Sequence, residues 1–289
     1  MKTLAPLLAL TLLLSSVSPI PAQDLDLMAR GDAAYLRRAD GHSGSVALPE
    51  PIGESITAFE ELLTQDPKNL EARWKLLRSL YYQGEHVLQD DDERLALYEE
   101  AREISDVGRE QLAITAGLGD DPDSMKTDKL AAALADTTDS AQIYFWSAVH
   151  WGLWGQYRGK MAAAKEGVAK KIRNFSEIVI EIDEEMEEAG GHRVLGRLHS
   201  EAPKLPFFTG WVDRKTAVSE LRRGIELVPD APLTRFYLAD ALLEHFPDQE
   251  QEARALLNDL VQLEPDQAYV VEQTQVIADA QALLTSLDN

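Results

Sequence analysis

The chain contains no cysteine. That excludes disulfides, thiolate metal sites, a cysteine nucleophile and a lipid-modified amino-terminal cysteine. Basic residues are scarce: 28 lysines and arginines stand against 50 aspartates and glutamates, a formal net charge of −22. A field of that sign repels phosphates and anionic lipid surfaces, so nucleic acid is not an expected partner, while basic partners are favoured. Apolar runs are short. The longest, residues 4–14, falls well below the ~20 residues that cross a bilayer, and the chain is not expected to span a membrane. No nucleophile motif, glycine-rich phosphate loop or H-E-x-x-H segment is present. The expectation is therefore a non-enzymatic protein with no catalytic residue, cofactor or metal site.

What is present starts with a leader pattern. Lys2 supplies a positive start, residues 4–14 an apolar stretch, and residues 15–22 a small-residue and proline-rich tail. This predicts a signal peptide over residues 1–22, a mature chain beginning near Gln23, and a periplasmic or secreted location. Residues 23–289 are expected to form one domain, and the 45% apolar content of the whole chain is that of a folded protein.

Helical periodicity dominates that domain. Ile56, Phe59, Leu62 and Leu63 recur at helix spacing before Asp66-Pro67 stops the run. The same device returns at residues 217–227 before Val228-Pro229, and at residues 253–263 before Glu264-Pro265. In the later two cases Ala217, Leu221, Gly224 and Pro229, then Ala253, Leu257, Leu260 and Pro265, fill the A-x3-F…P half of a helix-pair repeat. Leu238, Ala239 and Leu242 fill its first-helix half. Trp74, Leu77 and Tyr81, and Leu195-Gly196 with His199, are looser matches to that first helix. By these residues the chain is identified as a member of the tetratricopeptide superfamily. The resemblance implies an all-α fold, a superhelix of stacked helical hairpins (an α-solenoid), with residues 267–287 as a carboxy-terminal cap. Ala217, Leu221, Gly224, Ala239, Leu242, Ala253 and Leu257 should face inward. Three irregular segments, residues 40–53, 117–128 and 202–212, interrupt the repeat and should be loops.

Three segments invite chemistry. Residues 143–157 form a helix with aromatics on every side, which buries it all round at the centre of a core. Alternatively Trp146, His150, Trp151, Trp154 and Tyr157 wall a cavity for a small apolar ligand. The acidic clusters at residues 89–93 and 183–188 do not fit a calcium loop and read as solvated helix faces. His192 and His199, one heptad apart, lack further ligands for a metal. Finally, residues 203–211 carry Leu205, Phe207, Phe208 and Trp211 between prolines and a glycine, more apolar surface than a solvated loop usually shows. They either fold back to seal the groove against Trp151 or Trp154, or form a partner contact.

The order of segments is similar to a narrower family. An aromatic helix over residues 146–152, then Gly190-Gly191-His192-Arg193-Val194-Leu195-Gly196, a proline-containing loop and a closing repeat resemble the T component of tripartite ATP-independent periplasmic transporters. The resemblance implies an exported scaffold with a central apolar cavity that associates with a periplasmic substrate-binding subunit. It covers roughly the second half of the chain. This chain departs from the family in lacking a lipid-anchored cysteine, and in having Thr209-Gly210-Trp211-Val212-Asp213 where Gly-Gly-Asp is often found.

Overall fold

The computed structural model describes residues 22–118 and 122–288, so the leader read over residues 1–22 lies, but for its last residue, outside the described residues. The fold is all-α. Thirteen α-helices, three short 3-10 turns and no strand are found among the described residues. In chain order the helices are α1 (Ala22–Leu36), α2 (Pro49–Gln65), α3 (Leu70–His86), α4 (Asp91–Thr115), α5 (Thr127–Leu134), α6 (Ser140–Arg158), α7 (Lys160–Lys165), α8 (Val168–Ile182), α9 (Met186–Glu201), α10 (Arg214–Leu227), α11 (Pro232–His245), α12 (Glu250–Val261) and α13 (Val270–Leu287). None of the described helices is long and apolar enough to cross a membrane.

Local chemistry sets the boundaries. The Asn69 side chain accepts from Ala72 N at 2.9 Å and starts α3; Asp213 accepts from Lys215 N at 3.1 Å and starts α10. Asp90 accepts from Asp92 N and Glu93 N, both at 3.0 Å, so part of the acidic cluster at residues 89–93 caps α4 at the positive end of its dipole. Pro49 and Pro51 were expected in a loop. They lie instead in the first turn of α2, where the missing N–H has no helical acceptor to leave empty. The last helix starts at Val270, with residues 267–269 forming a 3-10 turn before it.

The acidic segment that runs into the start of α9 is not a plain solvated helix face. Glu187, Glu188 and Ala189 have φ of 50°, 56° and 56°, a left-handed turn built without glycine. Each such residue costs of order ~1 kcal/mol and persists only where its surroundings hold it. Gly190 and Gly191 follow with ordinary φ, and their role is space: a Cβ on Gly190 would meet the Phe145 ring at 2.4 Å, and one on Gly191 would meet Ile180 at 2.8 Å. The chain can thus swing sharply and still press α9 onto α6 and α8.

Each long helix packs on a neighbour in sequence: α1 on α2, α2 on α3, α3 on α4, α4 on α6, α6 on α8, and α8 through α13 in turn. A larger core extends from α1 to α9 and takes in Val271 of α13; a smaller one joins α10 to α13 around Leu221, Leu242, Leu257 and Ala280. Ala217, Leu221, Gly224, Ala239, Leu242, Ala253 and Leu257, the expected inward set, are all buried. A second set of contacts, α3 on α6, α6 on α9, α9 on α11 and α11 on α13, links alternate helices. Arg38, just beyond α1, closes that circuit by donating to Glu272 Oε1 of α13 at 2.9 and 2.8 Å and to the Ala268 carbonyl.

Candidate functional site

The aromatic helix α6 lies in the middle of the larger core. His150 has no exposed surface, and its Nε2 donates to the Leu77 carbonyl at 2.9 Å, which fixes the neutral imidazole; burial pushes its pKa down to about 4. Trp146 packs on Tyr81 of α3 with ring centroids 5.5 Å apart. Trp151 and Trp154 face the other way. Trp151 Nε1 donates to Asp106 at 3.2 Å, Lys171 Nζ sits 3.4 Å above its ring, and the Arg102 guanidinium lies 4.7 Å from Trp151 and 4.5 Å from Trp154. Such cation–π contacts stabilise a partly buried cation by about 1 kcal/mol and secure α4 and α8 to α6. Tyr157 is half-buried at the edge, 5.6 Å from Tyr98, and accepts from Arg94 at 3.3 Å. The five residues named as a ligand wall therefore do not face one space: Trp146 and His150 lie toward α3, Trp151 and Trp154 toward α4 and α8, and Tyr157 at the edge beside Tyr98 and Arg94.

The loop between α9 and α10 is a tied turn. Thr209 N donates to the Leu205 carbonyl at 2.9 Å, Leu205 N donates to the Thr209 hydroxyl at 2.9 Å, and that hydroxyl donates in turn to the Pro203 carbonyl. Trp211 Nε1 donates to the Phe208 carbonyl at 3.1 Å, while its ring lies 5.4 Å from His199 and under Arg173 at 4.3 Å. Leu205 and Trp211 are half-buried. Phe207 is 104% exposed and Phe208 60% exposed, so the two phenylalanines do not fold back against Trp151 or Trp154. Phe207 has φ +68°, a left-handed conformation that a bulky residue rarely takes, and its backbone aims the ring away from the protein.

His192 and His199 are both buried, two turns apart on the same helix. His192 places Nδ1 2.7 Å from Glu220 and Nε2 3.1 Å from Glu184, and only the imidazolium can donate to both carboxylates. Burial opposes that charge, but the two hydrogen bonds outweigh it and the pKa rises above its usual value. Arg223 donates twice to Glu184, so the left-handed turn is anchored to α10 through Glu184. His199 Nδ1 accepts from Asp213 N at 3.0 Å and is neutral, its pKa lowered by burial.

Trp74 and Tyr81 were read as repeat positions, but the stripe they share with Arg78 and Glu85 was not. Trp74, Arg78, Tyr81 and Glu85 recur at i, i+4, i+7 and i+11 on α3, one face of a helix, and all are half-buried. Arg193 and Arg197 do the same on α9. The signal was there as a helix stripe mixing aromatic and charged residues, where a core stripe would be aliphatic and a solvated one polar. No family model matches the chain, and no curated protein matches it either.

Proposed function

We propose that this protein is an exported, non-enzymatic scaffold of the tetratricopeptide-like α-solenoid kind, whose partner is a protein docked on the loop between α9 and α10. In its most concrete form the partner is a periplasmic substrate-binding subunit. The observation that supports this reading is the presentation of Phe207 and Phe208. Two adjacent large apolar rings stand in solvent on a turn closed by Thr209, beside half-buried Leu205 and Trp211. Exposed aromatics on a rigid turn lose little conformational freedom when a partner covers them, which is the property of an interface anchor. The negative charge of the chain gives such a partner long-range attraction if its facing surface is basic.

A photoreactive phenylalanine analogue placed at position 207 tests the reading in intact cells. A crosslink to a substrate-binding subunit, lost in the Phe207→Ser/Phe208→Ser double variant while its melting temperature stays within about 2 °C of the parent, is the expected result. Partner capture that survives the double change in a folded protein refutes the assignment of this loop.

A further inference from the structure

Residues 158–173 reverse the charge of the chain. Across the whole sequence carboxylates outnumber basic residues almost two to one, yet this stretch holds Arg158, Lys160, Lys165, Lys170, Lys171 and Arg173 against one carboxylate, Glu166. Two of the cations are turned to the protein: Lys171 Nζ sits 3.4 Å from the centre of the Trp151 ring, and Arg173 lies over Trp211 at 4.3 Å and reaches Glu177 at 3.7 Å. The other four, Arg158, Lys160, Lys165 and Lys170, are exposed, and none of their side chains has an ion pair or a hydrogen bond among the described residues.

The backbone sets these four around a separate element. The six-residue helix α7 lies between Gly159 and Gly167, whose φ of +93° and +65° side-chain-bearing residues rarely adopt, so the chain leaves α6 and enters α8 by two glycine turns. Packed on α6 and α8, α7 has no buried residue. Its inward face is marked by Ala163, because a Cβ on Gly155 of α6 would meet the Ala163 Cβ at 3.4 Å. Met161 and Lys165 stand two residues to either side, ~160° from Ala163 at 3.6 residues per turn, and so share the outward face one turn apart. Met161 is 82% exposed there. The outward face thus carries an apolar side chain among unpaired cations.

What would cover such a face follows from its chemistry. Its charges are mostly lysines, which protein interfaces disfavour, and a compact ammonium on a flexible stem suits a diffuse layer of phosphates better than a fixed carboxylate. A helix of six residues is ~9 Å long, small beside the roughly 800 Å² that each partner gives to a standard protein interface, whereas a lipid surface needs no matching relief. The chain's net charge of −22 does not oppose this at contact, since exposed charges are screened beyond ~8 Å at physiological ionic strength. Carboxylates stand at the rim: Glu166, and the acidic start of α4, which Arg94 ties to Tyr157 at 3.3 Å. Their repulsion confines contact with an anionic surface to the hairpin.

We propose that α7 and the residues flanking it dock the protein on an anionic lipid surface, with Arg158, Lys160, Lys165 and Lys170 at the headgroup phosphates and Met161 entering the layer beneath them. Peripheral contact of this kind requires no membrane-spanning helix. It uses none of the residues of the loop between α9 and α10, so it stands or falls separately from the docking of a protein there.

Flotation of the purified protein with vesicles tests it. Vesicles of phosphatidylcholine mixed with phosphatidylglycerol should carry the protein upward, vesicles of phosphatidylcholine alone should not, and added salt should release it. Each lysine at an anionic surface strengthens binding roughly fivefold, so Lys160→Gln/Lys165→Gln/Lys170→Gln should bind about 100-fold more weakly. All three lysines are exposed, and the variant should melt like the parent. Met161→Ser, a single exposed change at constant charge, should bind about threefold more weakly and supplies a second reading if the triple variant melts lower. The proposal is overturned if either variant, folded, floats like the parent, or if the neutral vesicles carry the protein equally well. It is overturned too if poly-glutamate binds as tightly as the vesicles, which makes protein carboxylates the occupant, or if the parent self-associates and the triple variant does not, which makes the occupant a second copy of this chain.

Discussion

The Arg38–Glu272 clasp ties residues 234 positions apart in the chain, and its loss should be measurable both in stability and in where the structure opens. The Arg38 side chain is 4% exposed and Glu272 24% exposed. Breaking a buried pair by removing one partner typically costs ~3–5 kcal/mol, because the other charge stays behind unpaired. Glu272 keeps some contact with solvent, which lowers the figure. Arg38 also lies 4.5 Å from Tyr35, 5.3 Å from Tyr82 and 5.5 Å from Tyr269, so its replacement loses three ring contacts, which raises it. Arg38→Met should therefore destabilise by about 2–4 kcal/mol in urea denaturation. Glu272→Gln, which leaves Arg38 with the Ala268 and Tyr35 carbonyls, should cost less, and the double variant should reveal a coupling of about 1 kcal/mol or more. Hydrogen exchange should quicken first at the start of α13. A single-variant loss below about 0.5 kcal/mol for Arg38→Met, or additive effects in the double variant, would refute the view that this contact closes the circuit.

Gly224→Leu should lower stability by ~1–3 kcal/mol in a thermal melt, because a Cβ there already meets Thr234 at 3.1 Å and a leucine must push α11 from α10. His86 and His150 have pKa values lowered by burial to about 4, so below pH ~6.5 the unfolded chain binds protons that the folded one refuses. Stability should fall as the pH drops from ~6.5 toward 4, with a slope approaching ~1.4 kcal/mol per pH unit for each group, and His150→Gln should flatten it. His192 runs the opposite way. Its folded pKa is raised, so its contribution is complete below ~6.5 and is lost as pH rises through the folded value; urea melts of His192→Gln should lack that alkaline loss.

What the sequence made legible is what local periodicity encodes. The apolar spacing of Ile56, Phe59 and Leu62, and of Ala217, Leu221 and Gly224, marks faces that are buried, and Asp66-Pro67 and Val228-Pro229 stand where α2 and α10 end. Prolines were ambiguous, since Pro49 and Pro51 open a helix by the same loss of a donor that lets Pro67 follow one. The left-handed turn at Glu187–Ala189 had no visible signature, because the residue that normally marks such a turn is glycine and the two glycines that follow serve packing instead.

The mixed stripe on α3 was hidden for a different reason. Tyr81 was read as a slot in a repeat and Trp146 as part of an aromatic run, each within its own helix. Arg38 and Glu272, which join α1 to α13, stand 234 positions apart, a contact no local window can reveal. A helix face packed tightly on its neighbour is aliphatic, as at Leu238 and Leu242, or small, as at Ala239 and Gly196. A stripe reading Trp74, Arg78, Tyr81, Glu85 meets neither demand. Burial disfavours the Glu85 charge and raises its pKa, while the Tyr98 hydroxyl donates to that carboxylate, so this face is set by polar pairing as well as by packing.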